Sequence, residues 1–198
     1  MKKYLAVILL VMIILPSFSN AQEGKGEKSK RMKPALIVID LQNGYLQMMD
    51  KSNKETALEY INYYIGLFKK NGYPVINVYH HSKETGPHPG SSEFEFDKSI
   101  SISADDPKVI KTYGDSFNKT ELDKILKGMG VNTVFLCGLS ATGCVLATYI
   151  GAANYDYRPF LLKDALLSPN NTQTKYIEEI LGAVSYEVVN VFLENAVK

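Results

Sequence analysis

The sequence predicts an α/β protein in which a mostly parallel β-sheet lies between two layers of helices. Short apolar runs alternate along the chain with longer segments of helical periodicity. The apolar runs are continuous, which is typical of strands buried on both faces. The composition, 45% hydrophobic and 22% charged, is close to a soluble globular average. Disorder, collagen-like repeats and a polytopic membrane protein are thereby excluded.

The predicted elements follow one another in this alternating order. The run over residues 35–39 predicts the first strand. Ser52 and Glu55 form a capping box before a helix that reaches Lys70 and stops at Asn71-Gly72. Further strands are predicted over 74–79, 133–139, 158–162 and 186–192. Further helices are predicted after an Asn118/Glu121 cap, over 144–154, and after an Asn170/Gln173 cap.

Charge and cysteine content narrow the classes of partner. The formal net charge of +1 provides no electrostatic basis for binding nucleic acid, so none is expected as a partner. Two cysteines are too few for a disulfide-stapled miniprotein or a four-cysteine zinc site. They leave three alternatives: one disulfide, two buried thiols, or one nucleophile and one inert thiol.

The first 21 residues have the pattern of a secretory signal peptide. Lys2 and Lys3 precede an apolar run over 4–15, and Ser19-Asn20-Ala21 provides small residues at a cleavage site. A membrane-spanning helix needs about 20 apolar residues, so an uncleaved membrane anchor is the weaker alternative, and no stable membrane insertion is expected after cleavage. Residues 22–33 are rich in Gly, Lys and Glu and predict a flexible linker before a domain over 34–198. The predicted location is outside the cytoplasm, either periplasmic or secreted.

Parallel sheets bind ligands at the carboxyl ends of their strands, so the residues there are candidates for a site. They are Asp40, His80, His81, the stretch near Lys111, residues 140–144 and Asp164. For Asp164 we expect a structural role.

Cys144 is a candidate nucleophile because it follows a predicted strand and opens a predicted helix. The positive end of a helix dipole favours the thiolate, the reactive form. Lowering a thiol pKa from about 8.5 to about 6.5 requires roughly 2.7 kcal/mol, whereas a helix terminus supplies about 0.3–1 and at best about 2. A second charged group is therefore needed. A small buried cysteine at a tight turn is the alternative.

Asp40 and Lys111 could provide the missing charges. Asp40 interrupts an apolar run at a strand end, where a carboxylate must be solvated, paired or used. Lys111 follows β-branched residues in the same way. If both meet Cys144, the carboxylate accepts the thiol proton and the ammonium favours the anionic forms. A turn cap for Asp40 and an exposed position for Lys111 are the alternatives.

Four segments together resemble the isochorismatase-like cysteine hydrolases. The stretch 37–45 is similar to the D-x-Q strand of that family, and 109–117 is similar to its lysine segment. The stretch 137–148 is similar to the nucleophile segment G-x-x-T-x-x-C-V-x-x-T, and 163–165 to the following D-A strand end. The family threonine is displaced by one position, because Ala141 stands three residues before the cysteine and Thr142 follows it.

The resemblance implies a Rossmann-like fold and a hydrolase that cleaves C–N bonds in small amides through a thioester. It implies Cys144 as nucleophile, Asp40 as base and Lys111 as electrostatic partner. It also implies an oxyanion hole made by the backbone N–H groups of Ser140, after a cis peptide, and Cys144. A homo-oligomer is the expected assembly.

Substrate contacts are expected from aromatic and imidazole side chains near the strand ends. They are Tyr45, His80, His81, Tyr113 and Phe117. Nicotinamidase members of the family carry an Asp-x-His metal motif after the second strand, which the segment 79–83 lacks, so no metal and no cofactor are predicted. A metal-assisted nicotinamidase using His80, His81 or His88 is one alternative. A silent member that binds a small molecule or a partner is the other.

Overall fold

A five-stranded, all-parallel sheet in the order β3-β2-β1-β4-β5 forms the middle of the structure. The computed structural model describes residues 31–82 and 84–196, so the predicted signal peptide and most of the predicted linker lie outside the described residues. The strands are β1 Pro34–Ile39, β2 Val75–His80, β3 Lys108–Lys111, β4 Thr133–Leu139 and β5 Arg158–Leu167. The helices are α1 Asn43–Leu46, α2 Lys51–Lys70, α3 Leu122–Gly128, α4 Leu146–Asn154, α5 Asn171–Ile180 and α6 Tyr186–Asn195.

The central strand β1 shows why the sheet is covered on both faces. Leu36 and Val38 join one hydrophobic cluster with α2 and α6. Ala35, Ile37 and Ile39 join a second cluster with α3 and α4. Because successive side chains of a strand point to opposite faces, a continuous apolar run serves two cores at once. The predicted three-layer α/β/α architecture is confirmed.

The last predicted strand, over 186–192, is wrong, because this segment is the helix α6. The valines there suggested a strand, but the buried positions Val189 and Leu193 are four residues apart, which is helical spacing. Val188 and Val191 are exposed on the opposite side. The spacing of the buried side chains therefore indicates the secondary structure of this segment better than its content of β-branched residues does.

Two of the predicted helix caps also differ from the structure. The N-cap of α2 is Asp50, whose carboxylate accepts from the backbone N–H of Ser52 at 2.7 Å, so Ser52 is inside the helix. The N-cap of α3 is Glu121 without a side-chain cap, and the backbone N–H of Leu122 donates to Oγ1 of Thr120 instead. The predicted Asn170 cap is confirmed.

Strand register brings the candidate residues to one edge of the sheet. β1 pairs with both β2 and β4, so Asp40 follows a strand whose two neighbours end at His80 and Leu139. His80 is in register with Lys111 at the end of β3. None of the helices in the described part of the chain has the length and apolar character needed to cross a bilayer.

Candidate active site

Asp40 and Lys111 form a buried ion pair at this edge of the sheet. Nζ of Lys111 donates to Oδ2 of Asp40 at 2.8 Å, and both side chains are almost fully buried. Asp40 adopts a positive φ of 56° directly after β1. Its backbone therefore leaves the extended conformation, in which successive side chains point to opposite faces of the sheet. Burial raises the pKa of Asp40, and the neighbouring ammonium opposes that rise.

His80 is a second partner of the same ammonium. Its Nδ1 lies 3.0 Å from Nζ of Lys111, so Nδ1 must be the acceptor and carries no proton. The ring also makes a hydrogen bond with the backbone of Tyr113. Burial, and then the charge of Lys111, lower the pKa of His80 to about 4, so the imidazole is neutral near pH 7.

Gln42 fixes the backbone of His80, a role that the sequence did not reveal. The His80 N–H donates to Oε1 of Gln42 at 2.7 Å, and Nε2 of Gln42 donates to the His80 carbonyl at 3.0 Å. Gln42 is fully buried, so both ends of its amide are satisfied within the protein. The glutamine of the D-x-Q motif was the available signal, because a buried amide side chain requires partners.

Cys144 completes the group. One ligand atom each of Asp40, His80 and Cys144 lie within 4.8 Å of one another. Cys144 lies in a five-residue π-helical turn, Ala141–Val145, in which Gly143 has non-helical torsion angles, and α4 begins only at Leu146. Val145 and Leu146 already have right-handed helical torsion angles, so the predicted helix over 144–154 differs from the structure only in its first residues, and Cys144 directly follows the kink at Gly143.

The expected thiolate is not favoured by these surroundings. Burial first, and then the negative charge of Asp40, raise the pKa of Cys144 to about 11, although Lys111 acts in the opposite direction. The thiol is therefore protonated at neutral pH, beside a carboxylate that can receive its proton. Cys137 differs, because it is fully buried in β4 with a pKa raised by burial. Both cysteines are free thiols, so they form no disulfide.

The turn before Cys144 has the backbone form that the resemblance implied. The peptide bond between Leu139 and Ser140 is cis. The Ser140 carbonyl accepts from the N–H groups of Gly143 at 2.9 Å and Val145 at 3.1 Å, which wraps the turn around it. These two hydrogen bonds close the turn between Ser140 and Val145, which contains the backbone N–H group of Cys144.

The three aromatic residues predicted to contact substrate lie in different surroundings. Tyr45 packs edge-on against His80 with ring centroids 5.8 Å apart, and burial followed by the charges of Asp40 and Cys144 raises its pKa to about 12. Tyr113 is exposed, and its hydroxyl accepts from Nζ of Lys119 at 3.0 Å. Phe117 is in the core, only 2% exposed and stacked on Tyr155, so the structure does not place it in a pocket.

His81 and His88 lie beside the site rather than in it. Their rings contact each other with centroids 5.4 Å apart, and Nδ1 of His81 is buried without a hydrogen-bond partner in the described chain. Within residues 31–82 and 84–196, the cluster of three or more possible metal-ligating side chains is Asp40, His80 and Cys144. His81 and His88 are not part of that cluster.

A cleft of about 700 Å³ opens next to Tyr45. Its lining includes Met48, Pro87, His88 and Glu93. Tyr45 lies between this cleft and the buried ion pair. Its ring contacts His80 on one side, and its hydroxyl faces Gly86 on the other.

Asp164 lies away from this site, at an irregularity of β5. Its backbone N–H donates to the carboxylate of Glu178 at 2.8 Å.

Comparisons with known proteins agree with this architecture and site. The model of the isochorismatase domain matches residues 34–184. The isochorismatase family protein YddQ of Bacillus subtilis is 29% identical over 139 residues, covering 68% of this chain and 77% of its own length. The chain belongs to the isochorismatase family. The predicted class, an isochorismatase-like hydrolase, is confirmed.

Two further relatives have names that specify an activity. The crystal structure of N-carbamoylsarcosine amidase from Thermoplasma acidophilum is 27% identical with a TM-score of 0.67, covering 78% of this chain and 95% of that protein. Maleamate amidohydrolase of Pseudomonas putida is 28% identical over 71 residues, covering 36% of this chain and 33% of its own length.

Proposed function

We propose that the protein is an exported, metal-independent cysteine hydrolase that cleaves the C–N bond of a small amide. The observation that carries the proposal is the position of the Asp40 carboxylate, which bonds the Lys111 ammonium and lies beside the Cys144 thiol. A buried acceptor next to a protonated thiol is what nucleophilic catalysis by cysteine requires. The two relatives named as an amidase and an amidohydrolase support a C–N bond as the target.

The first half of the proposed reaction forms a thioester. Asp40 takes the proton from Sγ of Cys144 as the sulfur attacks the carbonyl carbon of the amide. The negative charge that develops on the carbonyl oxygen is stabilised by the backbone N–H groups of Ser140 and Cys144. When the tetrahedral intermediate collapses, the C–N bond breaks, and the leaving nitrogen takes the proton from Asp40.

The second half regenerates the thiol. Asp40, ionised again, takes a proton from a water molecule that attacks the thioester carbonyl. The C–S bond breaks, the acid product leaves, and Sγ of Cys144 recovers its proton. Lys111 holds the Asp40 carboxylate in place through the 2.8 Å hydrogen bond. His80, neutral and bonded to the same ammonium, restricts the motion of Lys111.

The pKa values indicate when the first proton transfer takes place. Burial raises the pKa of Asp40, which makes this carboxylate a stronger base than an exposed aspartate. The pKa of Cys144, raised to about 11, means that little thiolate exists before substrate binds. Loss of the thiol proton is therefore coupled to attack, and the approaching carbonyl group is the electrophile that makes the transfer favourable.

The test compares Cys144→Ser with the wild-type chain on a panel of small primary amides and carbamoyl compounds. We expect Cys144→Ser to retain the fold and to lose at least about 1,000-fold in kcat/KM, because the hydroxyl is a far weaker nucleophile in this setting. Cys137→Ser is the matched control and should keep near-normal turnover if it folds. Full activity of Cys144→Ser, or release of ammonia that does not depend on the thiol, would contradict the proposal.

Alkylation by iodoacetamide provides a test that needs no substrate. Cys144 is partly accessible, whereas Cys137 is fully buried. We expect mass spectrometry to find the label on Cys144 well before Cys137, and equal rates would count against a distinct role for Cys144. Undiminished turnover after dialysis against EDTA is the expected sign of metal independence.

A further inference from the structure

The catalytic group contains a set of side chains that matches a metal centre. Asp40, His80 and Cys144 offer an oxygen, an imidazole nitrogen and a sulfur that all lie within 4.8 Å of one another. In a tetrahedral zinc site, with bonds of about 2.0–2.3 Å, the donor atoms lie roughly 3.3–3.8 Å apart. The three donors are therefore within about 1.5 Å of the separations that one cation would impose.

The place of that cation is taken by the ammonium of Lys111. Its Nζ is 2.8 Å from Oδ2 of Asp40 and 3.0 Å from Nδ1 of His80, and it also interacts with the thiol of Cys144, so it faces all three donors. The side chain of Lys111 is fully buried and cannot leave its partners for solvent without a rearrangement. The Asp40 carboxylate also accepts a hydrogen bond from the Cys144 thiol, so it faces both the ammonium and the sulfur.

We infer that Asp40, His80 and Cys144 form a latent site for a thiophilic divalent cation, and that Lys111 keeps the cation out. A metal and the ammonium compete for the same two donors, and two positive charges cannot share a buried pocket of this size. Thiolate and imidazole donors select Zn²⁺, Co²⁺ or Ni²⁺ over Mg²⁺ or Ca²⁺. A cysteine sulfur bound to such a cation would be unavailable for attack, so Lys111 protects the nucleophile as well as holding Asp40.

The latent cation site concerns only the donors and their occupant and does not depend on the proposed reaction, whereas the protection of a nucleophile rests on the proposed function. The test of the cation site is direct binding of Co²⁺ to the purified chain, without substrate, followed by the thiolate-to-cobalt charge-transfer band and by calorimetry. Lys111→Leu removes the ammonium while keeping an apolar stem. We expect it to bind Co²⁺ at least about 100-fold more tightly than the wild type, because the buried positive charge no longer opposes the metal.

Two controls assign the site. Lys108→Leu removes a lysine from the exposed start of the same strand, whose Nζ lies over the ring of Tyr79, and should leave Co²⁺ affinity at the wild-type value. Lys111→Leu combined with Cys144→Ser should lose the charge-transfer band. A band that persists in this double variant would place the cobalt on another sulfur and overturn the assignment.

A second variant covers the case in which Lys111→Leu does not fold. Lys111→Ala leaves room for water beside Asp40, and it should acquire the same cobalt band. Folding of either variant only in the presence of Co²⁺ supports the inference, because the cation then replaces the lost ammonium. If neither variant binds Co²⁺ more tightly than the wild type, or neither folds even with Co²⁺, the inference is wrong.

Discussion

The candidate active site consists of a few buried charged and polar side chains, each with specific partners. Asp40 and Lys111 are each only 1–2% exposed, so each would be costly to bury alone. His80 gives the ammonium a second acceptor, and Gln42 fixes the backbone that carries His80. The Asp40–Lys111 ion pair therefore stabilises the carboxyl end of the sheet and also lies beside Cys144 in the candidate site.

Asp40→Asn tests both roles of the carboxylate. Removing the negative charge leaves Lys111 buried without a counterion, so we expect the free energy of unfolding to fall by about 3 kcal/mol. Activity should drop by at least about 100-fold, because the amide cannot accept the thiol proton. Chemical denaturation and kcat/KM measure the two effects.

Asp105→Asn, an exposed carboxylate-to-amide change, is the control and should alter neither quantity. An Asp40→Asn variant of wild-type stability and activity would contradict the assignment of Asp40 as a buried base.

Gly138 illustrates how a secondary-structure element shapes the site from a distance. It lies in β4 with a φ of 111°, and a Cβ there would collide with the Ile39 carbonyl on β1. Only glycine therefore allows β4 to run this close to β1, just before the cis peptide and the turn that carries Cys144. The β1–β4 contact sets the position of Asp40 relative to Cys144.

Gly138→Ala should reduce stability by at least about 3 kcal/mol, because overpacking against backbone adds to an unfavourable φ. Gly128→Ala, at the end of α3 where a Cβ meets nothing, is the matched control. It should be neutral or stabilising by up to about 1 kcal/mol. Thermal unfolding of both variants provides the comparison, and equal midpoints would refute the steric account.

The packing of α5 on β5 should depend on pH through Glu178. Its Oε1 accepts from the N–H of Asp164 at 2.8 Å, and burial raises its pKa to about 7 from 4.5. A raised pKa means that the folded state binds the proton more tightly than the unfolded state. This contribution to stability is present below pH 4.5 and is lost as the pH rises through about 7.

Glu178→Gln should therefore flatten the decline of unfolding free energy between pH 4.5 and pH 8 relative to the wild type. Glu179→Gln, an exposed neighbour on the same helix, should leave the decline as it is. Urea denaturation at several pH values measures the slopes. If Glu178→Gln and the wild type lose stability in parallel, the raised pKa has no energetic consequence.

For the molecule as a whole, the export proposal leads to a mass measurement. The charged start, the apolar run over 4–15 and Ala21 predict cleavage before Gln22. Expression in a bacterium that has a secretory pathway should yield a mature chain whose N-terminus is Gln22. Lys2→Glu with Lys3→Glu should slow processing, whereas Lys28→Glu, beyond the cleavage site, should not. An intact N-terminal methionine on the exported or retained protein would argue against a cleaved signal.

The layer architecture and the carboxyl-end location of the site could be predicted from the sequence, because continuous apolar runs and their order are local properties of the chain. Asp40 and Lys111 became candidates in this way because each is a charged residue at a strand end, and Cys144 because it lies in the turn that follows β4. The helix α6 was missed because valine content does not reveal which side chains are buried.

The ionisation of the site and the partners of its charges depend on contacts between distant segments. Asp40 and Lys111 are 71 positions apart, and His80 and Lys111 are 31 apart, so no local pattern reports the 2.8 Å and 3.0 Å contacts between them. The raised pKa of Cys144 arises from burial and from Asp40, both of which exist only after β1 and β4 pair. Side-chain chemistry is encoded position by position, whereas solvation and charge proximity are properties of the folded sheet.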